Sequence, residues 1–253
     1  MRTTTAPRLV LLHGVGLDQS MWSRCAPVLA EHAQVLTPHL PGHGRSAPSR
    51  GALTVADLAN GVADVLEDGA HLVGFSLGAL VAQQLALTHP DRVHSLVLVS
   101  AVARRDAAQR AAVQVRYATA QRSPADSAHA AVRRWFGPDF AHRDPELMDT
   151  VLQTLLANDL ESYLACYRVF AEADATLWPQ LGQIAAPTLV VTGANDGGST
   201  PGMTVALAAA IPHATARVIA DAGHLLPLEQ PAELCAAVLD HLSSLPTALQ
   251  ETP

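Results

Sequence analysis

Lysine is absent from this chain of 253 residues, so all 16 of its basic residues are arginine. The absence excludes enzymes that form a Schiff base on a lysine and nucleotide-binding proteins that use a P-loop lysine. The net charge of −7 argues against nucleic acid as a partner, because nucleic-acid-binding surfaces are basic. The sequence also lacks the run of about 18 apolar residues that a membrane-spanning helix needs, so we expect no membrane insertion.

Cysteine is scarce too, and Cys25, Cys166 and Cys235 are widely spaced and odd in number. This spacing favours free thiols in a reducing compartment over a disulfide framework. Residues 1–7 have neither the apolar core nor the cleavage site of a signal peptide, so we expect a cytoplasmic protein. No CxxC, HExxH or clustered set of His and Cys is present, so we expect no metal and no cofactor. The oligomeric state is left open.

The most informative stretch has the pattern Gly-x-Ser-x-Gly, formed by Gly74, Ser76 and Gly78. An apolar segment precedes it and another follows, which predicts a strand, a sharp turn at Ser76 and then a helix. The two glycines lack Cβ atoms, so strand and helix can approach while Ser76 adopts a strained backbone conformation. Such a turn exposes the serine hydroxyl as a nucleophile. The alternative interpretation is a structural glycine turn without chemistry.

Short apolar strands alternate with helical patterns along most of the chain. Strands are predicted over 8–12, 34–37, 71–75, 93–100, 187–192 and 216–220, and helices over 21–30, 54–67, 77–88, 203–210 and 231–242. Nearly continuous apolar runs, as in 93–100, are typical of parallel strands that are covered on both faces. The alternation therefore predicts an α/β fold, with a mostly parallel sheet flanked by helices.

This alternation stops between residues 103 and 181, where helical patterns follow one another over 104–122, 124–135, 145–157 and 159–173. We interpret 103–181 as an all-helical cap between two parts of a core domain, 1–102 and 182–253. A cap over the carboxyl edge of the sheet would shape a pocket. Within it, Arg133, Arg134 and Trp135 are crowded together and predict a subsite for a substrate carboxylate. The alternative is a solvated helix face.

Ser76, Asp196 and His224 each follow a predicted strand. In a parallel sheet the carboxyl ends of the strands share one edge, so these three distant residues are expected to meet. His224 would take the proton of the Ser76 hydroxyl, and Asp196 would orient the imidazole and stabilise its charged form. The alternatives are a turn-forming role for Asp196 and a capping or core role for His224.

The glycine-rich loop after the first strand, residues 13–18, leaves backbone amides without partners. We predict that the amides of Val15 and Leu77 form an oxyanion hole. The alternative for this loop is a tight turn with no chemistry. We interpret His13 as a residue that braces the loop, and we regard His43, in the next loop, as a candidate for substrate contact.

Taken together, these motifs resemble the α/β-hydrolase superfamily over almost the whole chain. The matching features are His13-Gly14, the segments 41–46 and 88–93, the turn at Ser76, Gly193-x-x-Asp196 and Ala222-Gly223-His224 with Glu229-Gln230-Pro231. The resemblance implies the α/β-hydrolase fold, with the cap inserted after the sixth strand of the family, and a triad in the order Ser, Asp, His. The chain departs from the superfamily pattern at His39, where an aspartate is usual, and the antiparallel strands at the sheet edge are not evident.

Within the superfamily, different segments of the chain resemble two subfamilies. The first half is similar to pimeloyl-carrier-protein methyl ester esterases, in segments 13–17, 51–53 and 86–90. The cap and second half are similar to β-ketoadipate enol-lactone hydrolases, in segments 134–136, 163–166, 173–175 and 184–189. The resemblance implies a serine hydrolase that cleaves a small ester or lactone, with an anionic substrate as a further expectation. The alternatives are a methyl ester esterase acting on a carrier-bound acyl chain, a C–C bond hydrolase and a hydrolase-fold ligand receptor.

Overall fold

A six-stranded sheet forms the centre of the computed structural model, which describes residues 6–67, 69–136 and 140–246 and, at positions 141 and 142, the main chain only. The strands are β1 (Arg8–Leu12), β2 (Gln34–Leu36), β3 (Ala70–Phe75), β4 (Val93–Val99), β5 (Thr188–Gly193) and β6 (Ala214–Ile219). Their order is β2-β1-β3-β4-β5-β6, and every neighbouring pair is parallel. The predicted α/β fold is confirmed, and no antiparallel strand occurs within these described ranges.

The sheet separates two hydrophobic cores, because successive side chains of a strand point to opposite faces. On the paired central strands, Leu72 and Leu96 face one core, whereas Val73 and Val97 face the other. Every residue of β3 is buried. The carboxyl ends of all six strands therefore lie on one edge, held in place by a core on each side.

Helices cover both faces of the sheet and fill the segment between β4 and β5. They are α1 (Ala26–Leu29), α2 (Val55–Asn60), α3 (Leu77–Thr88), α4 (Ala107–Arg122), α5 (Pro124–Trp135), α6 (Phe140–Arg143), α7 (Pro145–Leu156), α8 (Leu160–Leu177), α9 (Pro201–Ala210), α10 (Leu226–Glu229) and α11 (Pro231–Ser243). Helices α2, α3 and α9 contribute to one core, and α1 and α11 to the other. In the described part of the chain, no helix has the length and apolarity to cross a membrane.

The helix predicted over 21–30 is divided in two. A 3-10 helix covers Gln19–Trp22, and α1 begins only at Ala26. Pro27 explains the break, because it has no amide hydrogen to donate and is therefore tolerated only in the first turn of a new helix.

The helix predicted over 54–67 begins as expected but ends early. Thr54 and Asp57 form a capping box, in which the Asp57 amide donates to Thr54 Oγ1 (3.2 Å) and the Thr54 amide donates to Asp57 Oδ2 (2.8 Å). The α-helix stops before Gly61, a weak helix former, and a 3-10 helix over Ala63–Leu66 continues the chain.

Hydrogen bonds connect the segment of helices α4 to α8 to the core. Asn158 Nδ2 donates to the Gly16 carbonyl in the loop after β1 (2.8 Å). Ser162 Oγ accepts from the Ser49 amide (3.0 Å) and donates to the Ser49 carbonyl (3.2 Å). These bonds connect the helical segment to the loops that follow β1 and β2. The outer ends of the predicted core domain, 1–5 and 247–253, lie outside the described residues.

Candidate active site

Ser76 occupies the tight turn between β3 and α3, with φ 52° and ψ −108°. A positive φ is strained for a residue with a side chain. Two close approaches make the turn possible, because a Cβ on Gly74 would lie 2.4 Å from the Gly78 carbonyl oxygen. A Cβ on Gly78 would lie 2.3 Å from the carbonyl oxygen of Leu12. Only glycine fits at both positions, so the Gly-x-Ser-x-Gly pattern builds the predicted turn.

His224 and Asp196 form a buried hydrogen-bonded pair at the ends of the neighbouring strands. His224 Nδ1 donates to Asp196 Oδ2 (2.7 Å), while Asp196 Oδ1 accepts from the amides of Gly198 (2.9 Å) and Ser199 (2.8 Å). Burial opposes ionisation of Asp196, but His224 and the two amides outweigh it and hold the pKa of this carboxyl below its usual value. The carboxylate fixes the proton of His224 on Nδ1, which leaves Nε2 free to accept one.

The main chain around His224 is anchored by Trp135, Ser100 and Glu229, and the sequence indicated this role for none of them. The His224 amide donates to the Trp135 carbonyl (2.7 Å), and Ser100 Oγ donates to the His224 carbonyl (3.0 Å). The Gly223 amide donates to both carboxylate oxygens of Glu229, each at 3.1 Å. Ser100 could have been recognised as a residue near the site, because it directly follows β4 just as Ser76 directly follows β3.

A cavity of about 130 Å³ joins these groups. Ser76, His224, Asp196 and Val15 line its floor, and the helices between β4 and β5 supply its walls, among them Trp135. The Trp135 ring lies 6.0 Å from the His224 ring, centroid to centroid. The structure thus brings the three residues of the predicted triad to one cavity.

The amides of Val15 and Leu77 have no hydrogen-bond partner among the described residues. Val15 lines the cavity, and Leu77 is the first residue of α3, directly after Ser76. His13 holds the neighbouring loop, because its Nε2 accepts from the Leu40 amide (3.0 Å) and its Nδ1 donates to the Gly14 carbonyl (2.9 Å). The interpretation of His13 as a loop brace is confirmed.

His43 is not among the residues that line the cavity. It is buried, and its Nδ1 donates to the Pro41 carbonyl (3.1 Å). Burial lowers the pKa of His43 to about 4, so this imidazole is neutral at pH 7. The structure therefore gives His43 a role in the loop and not the substrate contact that the sequence analysis considered.

The three residues proposed for carboxylate binding are separated by the structure. Arg134 and Trp135 line the cavity and Arg133 does not, although both arginines are exposed. Two arginines that the sequence analysis did not select, Arg105 and Arg116, line it instead. Helical periodicity separates Arg133 from Arg134, because adjacent residues of a helix point about 100° apart.

Residues 9–238 match the model of the alpha/beta hydrolase family. The chain belongs to this family. A pimeloyl-[acyl-carrier protein] methyl ester esterase from Salmonella agona is 31% identical over 94% of this chain and 94% of its own length. The structure of the enol-lactonase from Burkholderia xenovorans LB400 is 30% identical with a TM-score of 0.87, covering 96% of this chain and 94% of its own.

A further solved structure is the malate-bound thermophilic esterase from Thermogutta terrifontis. It is 28% identical with a TM-score of 0.86, covering 98% of this chain and 92% of its own. These relatives are named as hydrolases and match over nearly their whole length. The chain is therefore a hydrolase of the α/β-hydrolase fold, as the sequence predicted.

Proposed function

We propose that this α/β hydrolase cleaves small carboxylic esters or lactones through an acyl-enzyme on Ser76. The observation that carries the proposal is the buried His224–Asp196 pair, 2.7 Å apart, in the cavity that Ser76 lines. Ser76 Oγ attacks the carbonyl carbon as its proton passes to His224 Nε2. Asp196 stabilises the imidazolium, which protonates the leaving alkoxide. Water then attacks the acyl-enzyme by the same route and releases the acid and Ser76.

The oxyanion formed in each step is assigned to the amides of Val15 and Leu77. Both donors are backbone groups held by packed elements, so they need no reorganisation when charge develops on the carbonyl oxygen. One donor of this kind typically lowers the barrier by about 3 kcal/mol. The position of Leu77 at the start of α3 adds the favourable field of a helix N-terminus.

The cavity also limits the size of the substrate. A volume of about 130 Å³ favours a small acyl group, and we assign residues 103–181 to a cap that closes it. We propose that the substrate carries a carboxylate, which Arg134 and Trp135 would meet at the wall of the cavity. The Thermogutta esterase was solved with malate bound, and a small dicarboxylate held by a relative of this fold is in keeping with an anionic substrate.

A methyl ester on a carrier-bound acyl chain is the second candidate substrate, favoured by the identity to the Salmonella esterase. The chemistry at Ser76 would be the same, and only the group that enters the cavity differs.

We propose that the reaction takes place in the cytoplasm. Cys25, Cys166 and Cys235 are all buried free thiols, and free thiols fit a reducing compartment.

Replacement of Ser76 by Ala tests the proposal, with Ser20→Ala as a matched control at an exposed position. We expect Ser76→Ala to lower kcat for 4-nitrophenyl acetate by at least about 10³-fold, because the nucleophile is lost. A fluorophosphonate probe should label the wild type and the Ser20→Ala protein, and not the Ser76→Ala protein. Retained turnover in Ser76→Ala would refute the proposal, and labelling of Ser76 without any ester turnover would favour a ligand receptor.

A panel of lactones and of free and carrier-bound methyl esters then separates the two candidate substrates.

A further inference from the structure

Arg105 is a buried arginine in which one terminal nitrogen is hydrogen-bonded and the other is not. Its side chain is 3% exposed. Nη1 donates to Asp174 Oδ1 (2.7 Å) and to the carbonyls of Phe170 (3.1 Å) and Ala171 (3.3 Å). The guanidinium also lies over the Phe170 ring, with Cζ 4.7 Å from the centroid. These contacts fix both the position and the plane of the guanidinium.

The other terminal nitrogen, Arg105 Nη2, is buried and has no hydrogen-bond partner among the described residues. Arg105 lines the same cavity as Ser76. An unsatisfied buried donor is costly, and the cost is greater when the group is charged. Because Nη1 and the Phe170 ring hold the guanidinium in place, Nη2 cannot turn away to find a partner. It is a fixed donor without a partner, on a side chain that lines the cavity.

Two more arginines share this cavity, Arg116 on α4 and Arg134 on α5. Within the ranges that the structure describes, neither has a carboxylate at ion-pair distance. Two carboxylates lie nearby, and both are already paired: Asp196 with His224 and Asp174 with Arg105. Positive charge therefore exceeds negative charge around the cavity.

The arginines also act on one another. Burial lowers the pKa of Arg105, partial desolvation lowers the pKa of the more accessible Arg134, and the charge of Arg116 lowers both further. A guanidinium nonetheless stays protonated at neutral pH. The repulsion among the three arginines persists until an anion enters, and an anion that enters gains from all three.

We propose that Arg105, Arg116 and Arg134 form an anion subsite that receives a free carboxylate of the substrate, with Arg105 Nη2 as its fixed donor. The inference rests on the proposed function and deepens it, because it assigns recognition of the carboxylate to a buried arginine outside the Arg133–Trp135 segment. A carboxylate oxygen accepts from Nη2, and the more accessible Arg116 and Arg134 neutralise the remaining charge. Short substrates with a free carboxylate are then preferred over neutral esters of the same shape.

The test compares monomethyl succinate with its neutral isostere, methyl succinamate. We expect wild-type kcat/KM to favour the anionic ester by about tenfold or more, the size of effect typical of a charged hydrogen bond. Arg116→Met and Arg134→Met should each reduce this preference without a loss of folding, because neither side chain is paired with a carboxylate. Arg133→Met, on the preceding residue of α5 but outside the cavity, should leave the ratio unchanged.

Removal of Arg105 needs a second change, because Asp174 would otherwise stay buried without its partner. The double variant Arg105→Met/Asp174→Leu replaces the ion pair by apolar side chains and should bring the preference close to one. Should this variant fail to fold, Arg105→Lys serves in its place. Lysine keeps one charge and cannot supply both Nη1 and Nη2, so the preference should again fall.

A direct binding measurement separates this proposal from the proposed function. Succinate binding to the Ser76→Ala protein, followed by isothermal titration calorimetry, does not depend on turnover. We expect saturable binding that weakens at least about tenfold in Ser76→Ala/Arg134→Met and is unchanged in Ser76→Ala/Arg133→Met. Absence of ester hydrolysis in the wild type, together with intact succinate binding, would refute the proposed triad and leave the subsite standing. Hydrolysis without discrimination between the two esters, or an anion preference that survives removal of Arg105, would overturn the subsite.

Discussion

Replacement of Asp196 by Asn is the sharpest test of how the proposed triad works, because the surrounding hydrogen bonds dictate the orientation of the new amide. Asp196 Oδ1 accepts from the amides of Gly198 and Ser199, so the oxygen of Asn must stay there. The amide nitrogen then takes the place of Oδ2, facing His224 Nδ1. Since an NH₂ group can only donate, Nδ1 must become the acceptor and the imidazole proton moves to Nε2.

This tautomer cannot take a proton from Ser76, because the nitrogen that should accept it already carries one. A wrong tautomer in a serine triad costs about 10⁴ in kcat, which corresponds to about 5 kcal/mol of barrier. The binding of substrate should change little, since the cavity keeps its shape. We therefore expect kcat for 4-nitrophenyl acetate to fall by about this factor with a nearly constant KM.

The assay is steady-state hydrolysis, together with thermal unfolding to show that the variant is folded. Asp221→Asn is the matched control, because Asp221 is exposed and has a positive φ of 53° that Asn also tolerates. A fall in kcat of less than about tenfold in folded Asp196→Asn would refute the argument. Activity lost equally in Asp221→Asn would show that the effect does not depend on the pair with His224.

Three further predictions concern stability. Gly78→Ala should lower the free energy of unfolding by more than about 2 kcal/mol, because its Cβ would meet a main-chain oxygen at 2.3 Å, whereas Gly182→Ala, with nothing within 4 Å, should change it by less than about 0.5 kcal/mol. Ser76→Gly should be more stable than Ser76→Ala by about 1 kcal/mol, because only glycine relieves the strain at φ 52°. Burial lowers the pKa of His43 to about 4, so between about pH 6.5 and 4 the unfolded chain binds a proton that the folded chain excludes. Stability should therefore fall by about 3 kcal/mol on acidification through this range, and less steeply in His43→Asn.

Urea unfolding followed by circular dichroism measures all three. For the acid effect, the exposed His129→Asn is the control and should keep the wild-type slope. Equal stability of the two Ser76 variants would contradict backbone strain at the turn. An unaltered slope in His43→Asn would assign the acid sensitivity to another buried group, of which His13 is the nearest candidate, because burial also lowers its pKa.

The fold and the turn that holds the proposed nucleophile, Ser76, could be predicted from local patterns. Continuous apolar runs specify buried parallel strands, and Gly74 and Gly78 surround a serine at a turn where a Cβ on either glycine would strike a carbonyl oxygen. The convergence of Ser76 and His224 followed from topology alone, because parallel strands end on one edge. Helix ends were harder to predict, as Pro27 shows, because a pattern of apolar residues does not record where hydrogen bonds must stop.

The walls of the cavity were decided only by the tertiary structure. Arg133 and Arg134 are the same residue type and both are exposed, and only the rotation of α5 against the core brings Arg134 to the cavity and leaves Arg133 outside it. Arg105 carries no local signal either, since its Asp174 partner lies 69 residues away along the chain. The sequence by itself determined the turn at Ser76 and the strand ends that carry Asp196 and His224, because a turn and a strand end are local. What the site recognises depends on contacts between distant helices, and these exist only once the chain has folded.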